Sequence, residues 1–212
     1  MNIDIIKQID HIVYGVPNLE QAVELFQSKY GVTPTIGGKH LTKGTHNALI
    51  KIGHKCYLEI LASDKTNEEI KAPRWMGIDL INSPKITRLC LNSNQIQKDG
   101  RLLKEYHSEM GELAVGERKT PSEKMLSWKM TLPLPFPEVE LLPFFIDWSK
   151  SESHPTDQLK QMLEIKAIQF YHPNPSVITP YLNRMFPSLE IIKAKDIQIT
   201  ASFKGPNGLF EI

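Results

Sequence analysis

The sequence has 212 residues, of which 41% are hydrophobic and 23% charged, and its 25 basic and 24 acidic residues give a formal net charge of +1. This usage is that of a globular protein long enough to bury a core. The even charge balance offers no basic face for nucleic acid, and no apolar run is long enough to cross a membrane. Nucleic-acid-binding and membrane-spanning classes are therefore disfavoured.

The compartment is predicted from the N-terminus and the cysteines. No signal peptide is visible, and the two cysteines, Cys56 and Cys90, each lie inside an apolar run. This usage is typical of buried free thiols in a reducing compartment. We therefore expect a cytoplasmic protein without a cysteine-rich zinc site.

The first part of the chain predicts the element order β-α-β-β-β. A strand-like run within residues 8–18 leads to apolar residues at helical spacing, with Asn18 as the expected N-cap. Three short strands are expected over 33–39, 45–52 and 55–62, separated by glycine-containing turns. A search for internal repeats follows from this pattern.

The same order is predicted twice more. A second strand-like run over 85–92 precedes a helical stretch and strands at 112–119, 126–132 and 141–148. A third run, over 164–174, aligns without a gap with residues 8–18. Its helix and three short strands complete the last and shortest copy.

These repeats define the expected domain organisation. We expect an α+β fold whose first 160 residues hold two paired modules, module one over 1–62 and module two over 85–148. Residues 161–212 form a third, shorter module packed on the same domain. The polar segments 63–84 and 149–160 are expected to be linkers.

Two polar residues interrupt apolar strands of module one. Since side chains alternate between the two faces of a strand, His11 shares a face with Val13, and Glu59 shares a face with Tyr57 and Leu61. A buried ionised Glu59 is costly unless it is paired, coordinated or solvated in a pocket. His11 and Glu59 are therefore the leading candidates for a site, with a hydrogen-bonded core histidine as the alternative for His11.

The sequence resembles the vicinal-oxygen-chelate superfamily (glyoxalases, bleomycin-resistance proteins and dioxygenases), in its glyoxalase-like branch. The resemblance lies in the runs 9–13 and 57–60, in Gly44-Thr45-His46-Asn47-Ala48, and in the run 143–148 with His154-Pro155. It implies two modules paired into a curved, cup-shaped sheet. It also implies a divalent metal held by residues on the first and last strands of each module.

Carried over residue by residue, the resemblance gives His11 and Glu59 as metal ligands, but Arg88 and Asp147 in module two. A guanidinium cannot ligate a metal, so a four-ligand set at these positions is incomplete. Three routes stay open. His46 completes a His11, His46 and Glu59 set for zinc, manganese or iron; or no metal binds and Arg88 clamps an anionic ligand; or Arg88 pairs with Glu59 or Asp147.

The remaining site residues are expected to line the same cup. Asn47, Trp128 and Asp147 are predicted substrate contacts beside His11, His46 and Arg88, and Glu59 is the predicted catalytic group. For Trp128 a core position is the alternative. The linker residue His154 is expected at the surface.

Two functional hypotheses follow. The first is a glyoxalase-like protein that binds a small polar or acidic molecule in the cup, with metal-dependent lyase, isomerase or dioxygenase chemistry. The second is a metal-free binding or sequestering protein in which Arg88 clamps an anion. The fold does not choose between them. A homodimer is expected, because superfamily members often pair modules across subunits.

Overall fold

The computed structural model describes residues 6–119, 124–136, 139–187 and 189–212. Its strands and helices are β1 (Ile9–Gly15), α1 (Leu19–Tyr30), β2 (Thr35–His40), β3 (Thr45–Gly53), β4 (Cys56–Ser63), β5 (Lys85–Asn92), α2 (Ile96–Tyr106), β6 (Leu113–Lys119), β7 (Met125–Thr131), β8 (Phe144–Asp147), β9 (Glu164–His172), α3 (Pro175–Leu182), β10 (Ile191–Lys193), β11 (Gln198–Gly205) and β12 (Gly208–Glu211). The order β-α-β-β-β occurs three times, as predicted.

Modules one and two share an eight-stranded sheet with the order β2-β3-β4-β1-β5-β8-β7-β6, curled into a half-barrel. In each module the first strand pairs in parallel with the last, β1 with β4 and β5 with β8. The modules join through the antiparallel pair β1 and β5. This arrangement confirms the predicted paired modules and cup-shaped sheet.

The third module has the same element order but a different sheet. Its four strands follow the order β10-β9-β11-β12, so the first strand, β9, lies between β10 and β11. Ile168, Phe170 and Phe203 on β9 and β11 belong to the same buried cluster as α1 and the large sheet. Phe210 on β12 stacks on Tyr30 of α1 with ring centroids 3.8 Å apart. The division of the chain at residue 160 stays a prediction.

Helix α1 has the N-cap and the buried apolar face that the sequence predicts. Asn18 accepts a 2.8 Å hydrogen bond from the backbone N–H of Gln21, which satisfies one free donor of the first turn. Leu19, Phe26 and other residues at helical spacing are buried against the sheet. The helix ends before Gly31, whose φ of 69° is a left-handed conformation that glycine adopts without strain.

The two faces of the large sheet bury different clusters. The helices and the small sheet cover the outer face. The opposite side, here called the inner face, carries the residues Val13, Leu61, Cys90, Phe144 and Ile146.

Residues 64–84, here called the cover, fold against the inner face. Met76, Ile78 and Ile81 of this segment are buried in the inner cluster. Arg74 anchors the cover, because its guanidinium donates to Ser63 Oγ at 2.6 Å and to the carbonyl of Asn67 at 2.8 Å. This segment was expected to be a polar linker, but it contributes part of the core.

Cys56 and Cys90 are buried free thiols, as predicted. Among the described residues, no helix is both long and apolar enough to cross a bilayer. The N-terminal residues 1–5, on which the expectation about a signal peptide also depends, lie outside the described residues.

Candidate functional site

The pairing of β1 with β4 brings His11 and Glu59 together on the inner face. His11 lies beside Tyr57 and Val13 beside Glu59 in this parallel pair. The distance from His11 Nε2 to Glu59 Oε2 is 3.8 Å, longer than a hydrogen bond. His11 is 5% exposed and Glu59 is 8% exposed. The two leading candidates from the sequence are therefore neighbours in a nearly closed site.

Aromatic rings hold the His11 imidazole in place. Tyr57 stacks on it with ring centroids 4.8 Å apart, and Phe144 of β8 meets it edge-on at 5.4 Å. The other ring nitrogen, Nδ1, lies 2.8 Å from Asp10 Oδ1. The ring is thus held by two aromatic contacts and at one nitrogen.

Asp10 reaches this position because of a β-bulge. The pairing of β1 with β5 shifts between Ile9 and His11, so Asp10 is the extra residue. Its Oδ2 lies 2.9 Å from the indole N–H of Trp148 and 3.1 Å from His154 Nε2. Burial would raise the pKa of Asp10, but the hydrogen bonds to His11 and His154 outweigh it and lower the pKa. The buried carboxylate is therefore ionised.

Asn47 of β3 supports Glu59. Its Nδ2 donates a 2.6 Å hydrogen bond to Glu59 Oε1 and lies 3.4 Å from His40 Nε2. Its Oδ1 is buried and has no hydrogen-bond partner among the described residues. A side chain at Gly37 would place Cβ 2.2 Å from that oxygen, so only glycine fits there. Asn47 was predicted as a substrate contact, and the structure brings it into the site.

His46 is not brought to this group. It is adjacent to Asn47 on β3, and adjacent side chains on a strand point to opposite faces. Since Asn47 reaches Glu59 on the inner face, His46 points to the outer face, where it is half-buried opposite Ala62. The structure therefore does not bring His46 together with His11 and Glu59, as the predicted three-residue metal set requires.

Arg88 does not share the site either. Its guanidinium is 1% exposed and donates to the carbonyls of Thr87 at 2.8 Å, Leu134 at 3.3 Å and Phe136 at 2.9 Å. These carbonyls belong to β5 and to the connection between β7 and β8. Arg88 thus holds that connection in place, and the expected anion clamp and ion pair with Glu59 are corrected accordingly.

Asp147 points away from the inner face, because its neighbour Ile146 lies in the inner cluster. Its Oδ1 accepts the backbone N–H of Ser149 at 2.8 Å and closes the turn after β8. The expectation that Asp147 lines the cup with Glu59 is therefore corrected.

The sheet register shows which residues of module two match His11 and Glu59. Cys90 pairs with His11 across β1 and β5, and lies beside Phe144 of β8 as His11 lies beside Tyr57 of β4. Ile146, two residues beyond Phe144, matches Glu59. The sequence alignment placed Arg88 and Asp147 there instead, because the two bulges between β1 and β5 are invisible in the sequence.

Trp128 packs against the inner cluster, with its ring 5.5 Å from that of Trp148. The substrate contact predicted for Trp128 stays a prediction. Trp148 and His154 border a small cavity of about 200 Å³ with Lys55, Asn92 and Asp157. This cavity approaches the group around Asp10 from the side of the connection 149–160.

His154 was expected at the surface and is 4% exposed. It begins the 3-10 helix Pro155–Gln158, where its backbone N–H donates to Asp157 Oδ2 at 2.8 Å and Pro155 takes the first helical position. The sequence contains this capping pattern, since His154 is followed by Pro155 and, three residues later, by Asp157. The contact with Asp10, 144 residues away, could not be inferred from it.

Cys90 is the third group near His11 that could bind a metal. Asp10, His11 and Cys90 each offer a ligand atom within 4.8 Å of the others. Burial, followed by the charges of Asp10 and Glu59, raises the pKa of the Cys90 thiol well above its usual range. The thiol is therefore protonated at neutral pH unless a cation displaces the proton.

Comparisons with known proteins agree with this fold. A family model described as a glyoxalase-like domain matches residues 9–186. A hypothetical protein from Staphylococcus aureus aligns with a TM-score of 0.60 and 20% identity over 96% of this chain and 84% of that chain, which shows a shared fold.

Two epimerase structures are less similar. Methylmalonyl-CoA epimerase from Streptomyces coelicolor, in complex with 2-nitronate-propionyl-CoA, has a TM-score of 0.43 and 17% identity over 69% of this chain and 97% of its own. The Mycobacterium tuberculosis enzyme has a TM-score of 0.42 and 15% identity over 67% and 88%. Scores this low carry no information about the function of this chain. None of the curated proteins matches the sequence.

Proposed function

The chain belongs to the glyoxalase-like domain family of the vicinal-oxygen-chelate superfamily, and on that basis we propose that it binds a small polar, oxygen-containing molecule through His11 and Glu59. One observation carries the proposal: the His11 imidazole and the Glu59 carboxylate converge on the inner face, 3.8 Å apart. Buried polar groups that face each other without a direct hydrogen bond are typical of a site for a third group.

A divalent cation fits between these two groups. Imidazole nitrogen and carboxylate oxygen bind zinc at about 2.0–2.2 Å each, so one ion can span their separation. The same donor types also suit manganese and iron. His11 and Glu59 would hold the ion.

The chemistry of the pair suits proton transfer. A bound cation would polarise neighbouring oxygen atoms of a substrate and so acidify an adjacent C–H bond. Because the ion would occupy the single lone pair of His11 Nε2, the Glu59 carboxylate, which has a second oxygen, is the basic group positioned to accept a proton there. We propose an isomerase or lyase reaction on this ground.

Metal-free binding is the second candidate, and the residues of module two favour it. Ile146 occupies the place that matches Glu59, and the Cys90 thiol is held in its protonated form. Module two therefore offers at most one weak ligand. In this case His11 Nε2 and the Glu59 carboxylate accept hydrogen bonds from hydroxyl groups of the ligand directly.

The ligand is small, because the cover closes the site. Met76, Ile78 and Ile81 fill the inner face around Val13 and Leu61. His11 and Glu59 keep only a few per cent of their surface exposed. A molecule larger than a few heavy atoms would need part of the cover to move.

Calorimetric titration of untagged protein with zinc, manganese and ferrous ions tests the proposal. We expect one ion per chain, and affinity at least tenfold weaker in His11→Gln and Glu59→Gln. His54→Gln is the matched control, because His54 is an exposed histidine in the β3–β4 turn. A thermal-shift screen of small hydroxy and keto acids without metal tests the second candidate, and a shift absent from the His11 and Glu59 variants supports it. The expected homodimer stays a prediction.

A further inference from the structure

We infer that Asp10, held by Trp148 and His154, is a positioning residue that fixes the tautomer of His11. In that tautomer Nδ1 carries the proton and the Nε2 lone pair faces Glu59. The inference rests on the proposed function in one respect. The tautomer of His11 affects activity only if His11 Nε2 binds a ligand atom. The tautomer itself is a property of the free protein.

The first step fixes the protonation of His154. The backbone N–H of Thr156 donates to His154 Nδ1 at 3.2 Å, so that nitrogen is an acceptor and carries no proton. The proton of the neutral ring is therefore on Nε2. From there it is donated to Asp10 Oδ2 at 3.1 Å.

The second step fixes the role of each Asp10 oxygen. The indole N–H of Trp148 can only donate, and it donates to the same Oδ2 at 2.9 Å. Oδ2 thus receives two hydrogen bonds from the chain after β8. Oδ1 is directed to His11 Nδ1 at 2.8 Å.

The third step carries the proton position to His11. Since Oδ2 already accepts from two N–H groups, Asp10 is the acceptor of this cluster, so His11 Nδ1 donates to Oδ1 and Nε2 is left unprotonated. A carboxylate that orients a ligating histidine in this way is a common second layer of metal sites. Asp10 acts on His11 through Nδ1, whereas the ring nitrogen that faces Glu59 is Nε2, so Asp10 is assigned as a positioning residue.

This chain of contacts gives a function to the connection 149–160. His154 and Thr156 belong to its short 3-10 helix, and Trp148 directly follows β8. The segment after module two thus completes a site whose ligating groups lie on module one. His154 is 4% exposed, and Trp148 is partly buried. Their contacts with Asp10 are therefore sheltered from solvent.

Asp10→Asn tests the inference with an isosteric change. Trp148 and His154 still demand an acceptor, so the Asn oxygen takes the Oδ2 place and its NH₂ group points at His11 Nδ1. That nitrogen must then accept, and the His11 proton moves to Nε2. Long-range ¹H–¹⁵N correlation of ring nitrogens, at mildly alkaline pH where free histidine is neutral, reads the proton position directly.

In the native protein we expect an unprotonated His11 Nε2, assigned by the signals lost in His11→Gln. In Asp10→Asn we expect a protonated Nε2 and zinc affinity at least tenfold weaker. An unchanged tautomer in Asp10→Asn, or a doubly protonated ring in the native protein, would overturn the inference.

A second pair of variants guards against misfolding of Asp10→Asn. His154→Gln keeps an N–H donor for Asp10, whereas His154→Leu keeps bulk and removes the donor. We expect native His11 signals in the Gln variant and mixed tautomers in the Leu variant; equal spectra would contradict the inference. Tautomers that respond as expected without any binding of metal or ligand would leave the inference intact and reject the proposed function.

Discussion

The Glu59 carboxylate lies 3.8 Å from His11 Nε2, and its other oxygen accepts a 2.6 Å hydrogen bond from Asn47. One oxygen is thus held by a neutral donor, while the second is directed at an imidazole nitrogen. Glu59 is 8% exposed, so water gives it little compensation. This geometry makes the pair a site that a cation or a polar ligand would stabilise.

Removing the amide of Asn47 should destabilise the fold. Asn47→Ala leaves Glu59 Oε1 without its described donor, and an unsatisfied buried group costs about 1–3 kcal/mol. Chemical denaturation measures the loss. His46→Ala, at the neighbouring position on the other face, is the control and should change the free energy of unfolding by less than about 1 kcal/mol. Equal losses in both variants would argue against the assigned role of Asn47.

Arg88→Met should lower stability and spare ligand binding. The guanidinium donates to three backbone carbonyls, and hydrogen bonds to charged groups contribute roughly 1.5–3 kcal/mol each. We expect a loss of about 3 kcal/mol or more, with Arg88→Lys in between, from urea unfolding curves. If folded Arg88→Met instead lost binding of an acidic ligand at unchanged stability, the anion-clamp role would be restored.

A methyl group added at Gly15 should disturb the packing of the cover against the inner face. A Cβ there would lie 2.6 Å from Ile81 Cδ1 and 2.7 Å from Ile78 Cδ1, closer than carbon atoms approach. Gly15→Ala should therefore push these side chains away and speed amide hydrogen exchange within residues 64–84. Gly53→Ala is the control, since its Cβ would have a 3.5 Å contact with Cys56. Unchanged exchange in Gly15→Ala would show that the cover packs elsewhere.

Asp64 should make the start of the cover sensitive to acid. The Thr66 hydroxyl, its largest influence, and Lys39 lower the pKa of Asp64 to about 2, against the opposing effect of desolvation. Because the folded pKa is depressed, the stabilisation is complete above the unfolded value of about 3.9 and is lost as the pH falls toward 2. Melting temperatures of the native protein and Asp64→Asn should converge between about pH 4 and pH 2. A constant difference across that range would contradict this.

The fold was predictable from the sequence because its signals are local. Alternation, turn glycines and the Asn18 cap gave three β-α-β-β-β units and nearly all strand bounds. The site was predictable only in part. His11, Glu59 and Asn47 were found because polar residues in apolar strands demand partners.

What the sequence did not reveal depends on register and long-range contacts. Two bulges between β1 and β5 shift the match of His11 from Arg88 to Cys90. Because side chains alternate between the two faces of β3, Asn47 and not His46 lies on the inner face. His154 contacts Asp10 only in the folded structure, because all of module two lies between them along the chain. The spacing of residues in the sequence does not predict this contact.

The central claim is that His11 and Glu59 together form a binding site. The most direct test is zinc titration by calorimetry of the native protein beside His11→Gln, Glu59→Gln and His54→Gln. The account predicts one ion per chain, lost or weakened at least tenfold in the first two variants and kept in the third. Zinc binding that is equal in all four proteins, or binding of neither metal nor any screened small acid, would contradict it.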